Sequence, residues 1–367
     1  MSLFFKVIYF VLLFTNFAVS TTAAWKNLTL SNYKLKQTGY SSTIANLDKA
    51  LPNVKLATIM ENLNHDNPGT APKVKNLLAS SGYGWKDSSN FNDQDTEKWY
   101  PQGISTSADA FDSEKYEGYS VQLISWHSDH YDDGKRGARI SFVKQGSGRK
   151  KKYRHVLLVR PKGDEDFEAI KGLHAGGIVW YGNLLYVVDT TSGLRVFDLN
   201  HIYSVDESIK NKAGKSRNKY ARSYDWQKKS GVTNMRFSFI SLDRTTTPDS
   251  LIIGEYHAER TNCRLLRFDA DYKTRLLKTS SGIATASQAV QHGNTKIQGA
   301  TSINGKFFLT QSGGSLITHT WKDRQKKTTG VFPKVPEDLS YEKDVGLWTL
   351  MEQPGYRHVF AIDSSKF

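Results

Sequence analysis

From about Trp99 to the C-terminus the chain alternates short apolar runs with turn residues. The runs include "YSVQLISW", "ARISFV", "RHVLLVR", "LLYVVD", "LRVFDL", "RFSFISL", "SLIIGEY", "CRLLRFD", "KFFLTQ", "SLITHTW", "GLWTLME" and "HVFAI". Each is short, rich in β-branched or aromatic residues and bounded by Gly, Asn, Asp or Ser, which is the signature of strands. Long amphipathic helices do not alternate with them, so a parallel α/β sheet is disfavoured. Residues 25–100 read differently. "STIANLDKALPNVKLATIMENL" has helical spacing in two pieces split at Pro52, set among Asn-, Asp-, Ser- and Gly-rich stretches. The pattern predicts an N-terminal extension of short helices and loops at 21–98, followed by an all-β domain at 99–367.

The strand region repeats itself. "GGIVWYGNLLYVVD" (Gly176–Asp189), "QGATSINGKFFLTQ" (Gln298–Gln311) and "EDLSYEKDVGLWTLME" (Glu337–Glu352) share one plan. A Gly or Asp is followed by a strand, a turn, an aromatic-rich strand and a polar end. Gly177 to Asp189 and Gly299 to Gln311 are each 12 positions, and Asp338 to Glu352 is 14, the excess lying in a longer turn. Looser copies run from Gln102 to His127 and from Arg236 to Glu255. Further strands follow most copies, so the unit is a four-stranded meander, and five units in series predict a five-bladed β-propeller. The last unit is one strand short. Either Trp25–Leu35 or a segment near 70–100 is expected to complete it. The competing arrangement, a β-sandwich followed by a smaller β domain, does not account for the five-fold recurrence.

In a propeller the first strand of each blade lines the axis and the second runs back beside it. The start of one and the end of the other then share a face. Strand-one starts give Gln102, His174, Arg236, Gln298 and the pair Glu337–Asp338; strand-two ends give His127, Asp189, Glu255, Gln311 and Glu352. His257 in "GEYHAER" lies near the same mouth. Repeated polar strand ends also serve packing alone, but here the residue types vary from copy to copy, which favours a ligand site. Asp189, Glu255, Glu337, Asp338 and Glu352 are candidates for the paired carboxyls of glycoside cleavage. Gln102, His127, His174, Arg236, His257, Gln298 and Gln311 are candidates for ligand binding.

Composition narrows this further. Of 367 residues, 18 are Tyr, 18 Phe and 8 Trp, in keeping with strands. The first twenty residues carry one charge, Lys6, then the apolar run "VIYFVLLFTNFAVS" ending in small residues, which reads as a secretory signal peptide at 1–20. No other segment is apolar enough to span a bilayer. Cys263 is the sole cysteine and reads as a small buried hydrophobe rather than a nucleophile. Asn27-Leu28-Thr29 is the single N-glycosylation sequon, making Asn27 the glycosylation candidate.

Net charge is +14, concentrated in Gly148–His155, Lys210–Arg222 and Lys322–Lys327. Such runs commonly solubilise loops; in an exported chain they also favour anionic extracellular surfaces over nucleic acid. His127, Asp129, His130 and Asp132 are weak metal candidates, since their spacing matches neither an EF-hand nor a zinc-protease helix and "DDG" is an ordinary turn. No cofactor motif is present; a structural metal ion in the channel is the one inorganic group the pattern would admit. No G-x-S-x-G elbow, Walker loop or dinucleotide fingerprint occurs.

"WYPQGISTSADAF", "YRHVLLVRP", "HAGGIVWYGNLLYVVDTTSGLRVFDL", "SFISLDRTTTPDSLIIGEY", "QGATSINGKFF" and "EDLSYEKDVGLWTLMEQPGYRHVFAI" resemble segments of an uncharacterised group of secreted bacterial proteins, over roughly residues 99–367. The resemblance implies a secreted, propeller-like domain and brings no activity with it. The expectation is a secreted, monomeric β-propeller that binds a polar ligand, carbohydrate first, at the channel mouth. A glycan hydrolase using paired carboxyls and a host-directed protein-interaction effector are the alternatives.

Overall fold

The computed structural model describes residues 25–367 apart from 79–80, 129–135, 163–165, 205–215 and 334. The signal-peptide reading of 1–20 and the metal candidates Asp129, His130 and Asp132 lie outside the described residues, as does much of the basic run that starts at Lys210. The chain is all-β. Five antiparallel meanders follow one another. The first runs through Trp99–Thr106, Val121–Ser128, Ala138–Lys144 and Lys152–Lys162. The second runs through Ile178–Tyr181, Leu184–Asp189, Gly193–Ser204 and Ser216–Trp226. The third uses Phe237–Asp243, Ser250–Glu255, Arg264–Asp269 and Gln288–Gln291; the fourth uses Ile297–Ile303, Lys306–Gln311, Ser315–Thr320 and Arg324–Thr328. The fifth has three strands, Pro336–Glu342, Gly346–Met351 and Val359–Ile362.

Alternation along the strands explains how the sheets pack. Neighbouring side chains of one strand point to opposite faces. Phe307 therefore joins a cluster with Phe239, Ile252 and Leu265 of the third sheet, while Phe308 joins Leu339, Leu347 and Phe360 of the fifth. The same holds throughout. Trp348 and Leu350 of the fifth sheet pack with Ile104 and Trp126 of the first. Phe142 and Leu158 of the first pack with Trp180 and Val187 of the second, and Val188 and Val196 of the second pack with Ile240 and Leu251 of the third. The five inner strands also touch in a closed cycle: Trp99–Thr106 lies beside Ile178–Tyr181, then Phe237–Asp243, Ile297–Ile303 and Pro336–Glu342, which returns to Trp99–Thr106.

Glycine permits that close approach. A Cβ on Gly177 would lie 2.4 Å from the Ile240 nitrogen, and one on Gly299 would lie 2.6 Å from the Asp338 Cα. The Asn304-Gly305 turn has positive φ at both residues, the geometry that suits a two-residue hairpin.

Two features depart from a plain series of separate sheets. Residues Leu157–Val159 pair in parallel with Arg217–Lys219, so the first and second meanders fuse at their outer edges into a larger sheet. The N-terminal extension is also threaded into the β structure. Its helices, Thr43–Ala50 and Leu56–Glu61, flank Pro52, and Leu56, Ile59 and Met60 enter the core between the first two sheets. Lys26–Asn27 extends the third sheet, whereas Leu77 and Tyr83 bridge to Ile362 and Val359 at the edge of the fifth. Of the two segments considered for completing the last unit, the later one lies there.

Candidate functional site

The inner strands enter the axis through a repeated irregularity. In the first sheet the register jumps between Pro101 and Ile104, in the third between Phe237 and Phe239, in the fourth between Ile297 and Gly299, and in the fifth between Pro336 and Leu339. A bulge leaves a residue unpaired and re-aims its side chain. The residues so released include Gln102, Ser238, Gln298 and Glu337. The second sheet reaches the same place by another route, through Ala175 at φ 51 and the Gly176-Gly177 pair.

These side chains converge. Gln102, Ser238, Gln298 and Glu337 line one cavity of about 220 Å³, together with His174 and Arg236 from the segments entering the inner strands. Thr190, Tyr256 and Glu352 complete the wall from just beyond the second strands. His127 sits behind His174, with ring centroids 4.4 Å apart, and bonds through Nδ1 to the Ser128 carbonyl at 3.0 Å.

The carboxyls in the wall are unusual for their burial. Glu337 is 3% exposed and accepts from Gln298 Nε2 at 3.0 Å. Burial, reinforced by the neighbouring Glu352 and Asp338, pushes its pKa well above the ordinary glutamate value. Glu352 accepts from Gln102 Nε2 at 2.6 Å; burial raises its pKa too, opposed by the Gln102 bond and by Arg357. Arg357 is fully buried; its Nε donates to the Glu352 carbonyl at 2.7 Å and its Nη1 to the Asp93 carbonyl at 2.8 Å. Burial lowers the Arg357 pKa to about 10. Asp338 sits outside the cavity wall, where one oxygen accepts from Ile104 N at 3.4 Å and Ile178 N at 3.3 Å. Desolvation raises its pKa well above the usual value, and its other oxygen has no partner.

The remaining sequence candidates take other places. Glu255 is gripped by Arg264, with Nε and Nη2 each at 2.6 Å, and also accepts from the main-chain nitrogens of Arg236 at 2.9 Å and Arg264 at 3.0 Å. Asp189 pairs with Arg195 at 2.6 Å. Gln311 donates to the Thr295 carbonyl at 2.8 Å, and His257 Nδ1 accepts from the nitrogens of Glu259 and Arg260. None of the four lines the cavity. The reason is parity. Phe237 pairs with Glu255 and Ile297 with Gln311, so the next residue along, Tyr256 in the third sheet, faces the cavity instead. Thr190 stands in the same relation to Asp189, and Glu352 to Met351, the partner of Pro336. In the observed pairing Ser238 takes the place in the third sheet that Gln298 takes in the fourth.

Two further groups have the look of chemistry but are closed. Ser141, His155 and Asp93 form a hydrogen-bonded line, with Ser141 Oγ 2.9 Å from His155 Nδ1 and His155 Nε2 2.8 Å from Asp93 Oδ2. Ser141 is fully buried and accepts from Trp126 Nε1 at 2.7 Å, while Asp93 also holds Arg139 at 2.6 Å and Tyr153 at 2.7 Å. No carbonyl can approach that hydroxyl. Cys263 is buried, and its thiol is pushed up to about 11 by burial and by Glu255. Among the described residues no three His, Cys, Asp or Glu side chains are grouped to hold a metal ion, and no helix is long and apolar enough to cross a membrane.

Fold and site together define an all-β protein with a polar cavity where five inner strands meet. No family model and no curated protein matches the chain. Among solved structures it is similar to hydrazine synthase of Kuenenia stuttgartiensis, at 11% identity and a TM-score of 0.35, over 72% of this chain and 77% of that one. Likeness at that level carries neither a family nor an activity to this chain.

Proposed function

We propose that the chain is a secreted five-bladed β-propeller that binds carbohydrate in the cavity lined by Gln102, Gln298, Glu337 and Glu352. The closed cycle of inner strands and the five clusters that each join one sheet to the next support the five-bladed reading. Export rests on the apolar run after Lys6. In an exported chain that is N-glycosylated, Asn27 would be the acceptor; it is exposed.

The observation that carries the ligand class is the wall itself. Two amides, two carboxyls, Ser238, Thr190 and Tyr256 offer paired donors and acceptors around a space of about 220 Å³. A polyhydroxy ring needs both in alternation, and Tyr256 adds an aromatic side chain to the wall. Burial raises the pKa of both Glu337 and Glu352, and the charge of Glu352 adds to the shift of Glu337. The exposed basic run Lys322–Lys327, where Arg324, Lys326 and Lys327 lie on an outer strand, supports contact with anionic extracellular surfaces.

Titration calorimetry of the full chain against a panel of free monosaccharides and short glycans tests this. At least one member should bind, with Gln298→Ala and Glu337→Ala each weakening it about tenfold or more. A panel without a single binder would sink the carbohydrate reading. Turnover of a bound glycan, abolished by Glu352→Gln, would replace binding with hydrolysis.

A further inference from the structure

We propose that the cavity selects a hexuronic acid, whose carboxylate docks on the Arg236 guanidinium while its hydroxyls meet Gln102, Gln298 and Glu337. This deepens the carbohydrate reading and rests on it.

Arg236 is the observation that singles out an acidic sugar. It is exposed, it lines the cavity, and among the described residues no carboxylate pairs with its side chain. The acid bonded to its main chain is not available to it. Glu255 accepts from the Arg236 main-chain nitrogen at 2.9 Å, but both its oxygens are taken by Arg264 at 2.6 Å. That arrangement pins the Arg236 backbone and leaves its guanidinium for a ligand. A guanidinium matches a carboxylate through two parallel N–H bonds, a fit a neutral hydroxymethyl group lacks.

The two carboxyls of the wall are already engaged. Glu337 and Glu352 are each bonded to a side-chain amide, Gln298 at 3.0 Å and Gln102 at 2.6 Å. Burial raises the pKa of both, as described above. His174 is on the same wall. The volume of about 220 Å³ suits one sugar ring better than a chain, so the terminal residue of a glycan is the unit recognised.

Calorimetry with D-glucuronate, D-glucuronamide, D-glucose and D-glucosamine at one pH and ionic strength reads the selection directly. Glucuronate should bind about tenfold or more tighter than the two neutral sugars. Arg236→Gln should bring glucuronate to within about twofold of glucose. Because the guanidinium is exposed, that variant should keep the wild-type melting temperature. Equal binding of glucuronate and glucose, or a preference for glucosamine, overturns the acidic-sugar assignment and leaves the carbohydrate reading standing. Failure of all four, together with the wider glycan panel, removes both.

Discussion

The side-chain amide of Gln298 donates to Glu337 Oε1 across 3.0 Å, joining the fourth inner strand to the fifth at the cavity wall. Glu337 is held there with its pKa well above the ordinary range by burial and by Glu352 and Asp338. A carboxyl raised in the folded state binds a proton that the unfolded chain, with a glutamate pKa of about 4.3, has already lost. Its contribution is complete in acid and is lost as pH rises towards the folded value. Glu337→Gln keeps an acceptor for Gln298 and removes the titration. Urea midpoints at pH 5 and pH 8 should fall further in the wild type than in this variant. Parallel losses would show that Glu337 is ionised in the folded protein.

The Glu255–Arg264 pair is structural. Its side chains are each 8% exposed, and Arg264 also donates to the carbonyls of Thr233 and Asn234 at 2.9 Å. Removing one partner strands a buried charge. Glu255→Gln should therefore cost about 3 kcal/mol or more in chemical denaturation. Ligand affinity measured well below the melting temperature should change little. A large loss of binding with unchanged stability would return Glu255 to the site.

Gly177→Ala should destabilise the fold by about 2 kcal/mol, because a methyl group there meets backbone atoms of Phe239 and Ile240 at 2.4–2.9 Å and neither can rotate away. Gly39→Ala is the control, with nothing within 4 Å of the added carbon. Equal midpoints for the two variants would mean that the second and third inner strands stand further apart than described.

Ser81 secures the edge of the fifth sheet. Its Oγ donates to the Ala361 carbonyl at 3.0 Å and accepts from the Ala361 nitrogen at 3.1 Å. Ser81→Ala leaves that nitrogen without its acceptor and should cost about 1–2 kcal/mol. Amide exchange should quicken most at Val359–Ile362. Uniform quickening across all sheets would argue that the edge opens only with the whole molecule.

Much of the strand content and the repeat were legible because a period of two and recurrent turn residues are local signals. The convergence of Gln102, His174, Arg236, Gln298 and Glu337 followed from aligning repeats. What the pattern missed was one-residue detail. Asp189, Glu255 and Gln311 read as polar strand ends, yet Thr190 and Tyr256 line the wall, because adjacent residues face opposite ways. Ser238 carries no comparable signal, since Arg236 is the charged residue that opens the run "RFSFISL" and Ser238 lies inside it. The parallel join between Leu157–Val159 and Arg217–Lys219 has no local signature; it depends on which edges meet after packing.

The bridges from Leu77 and Tyr83 to the final strand set an order on assembly. Residues made early have their pairing partner at Val359–Ile362, near the end of the chain, so this edge cannot form during synthesis of the intervening sheets. The cost of bringing such distant segments together is met late, which makes the docking of 77–83 onto the last strand a natural slow step. A chain cut short before Val359 would leave both the edge of the fifth sheet and the 77–83 segment without their partner, however well its earlier sheets had formed.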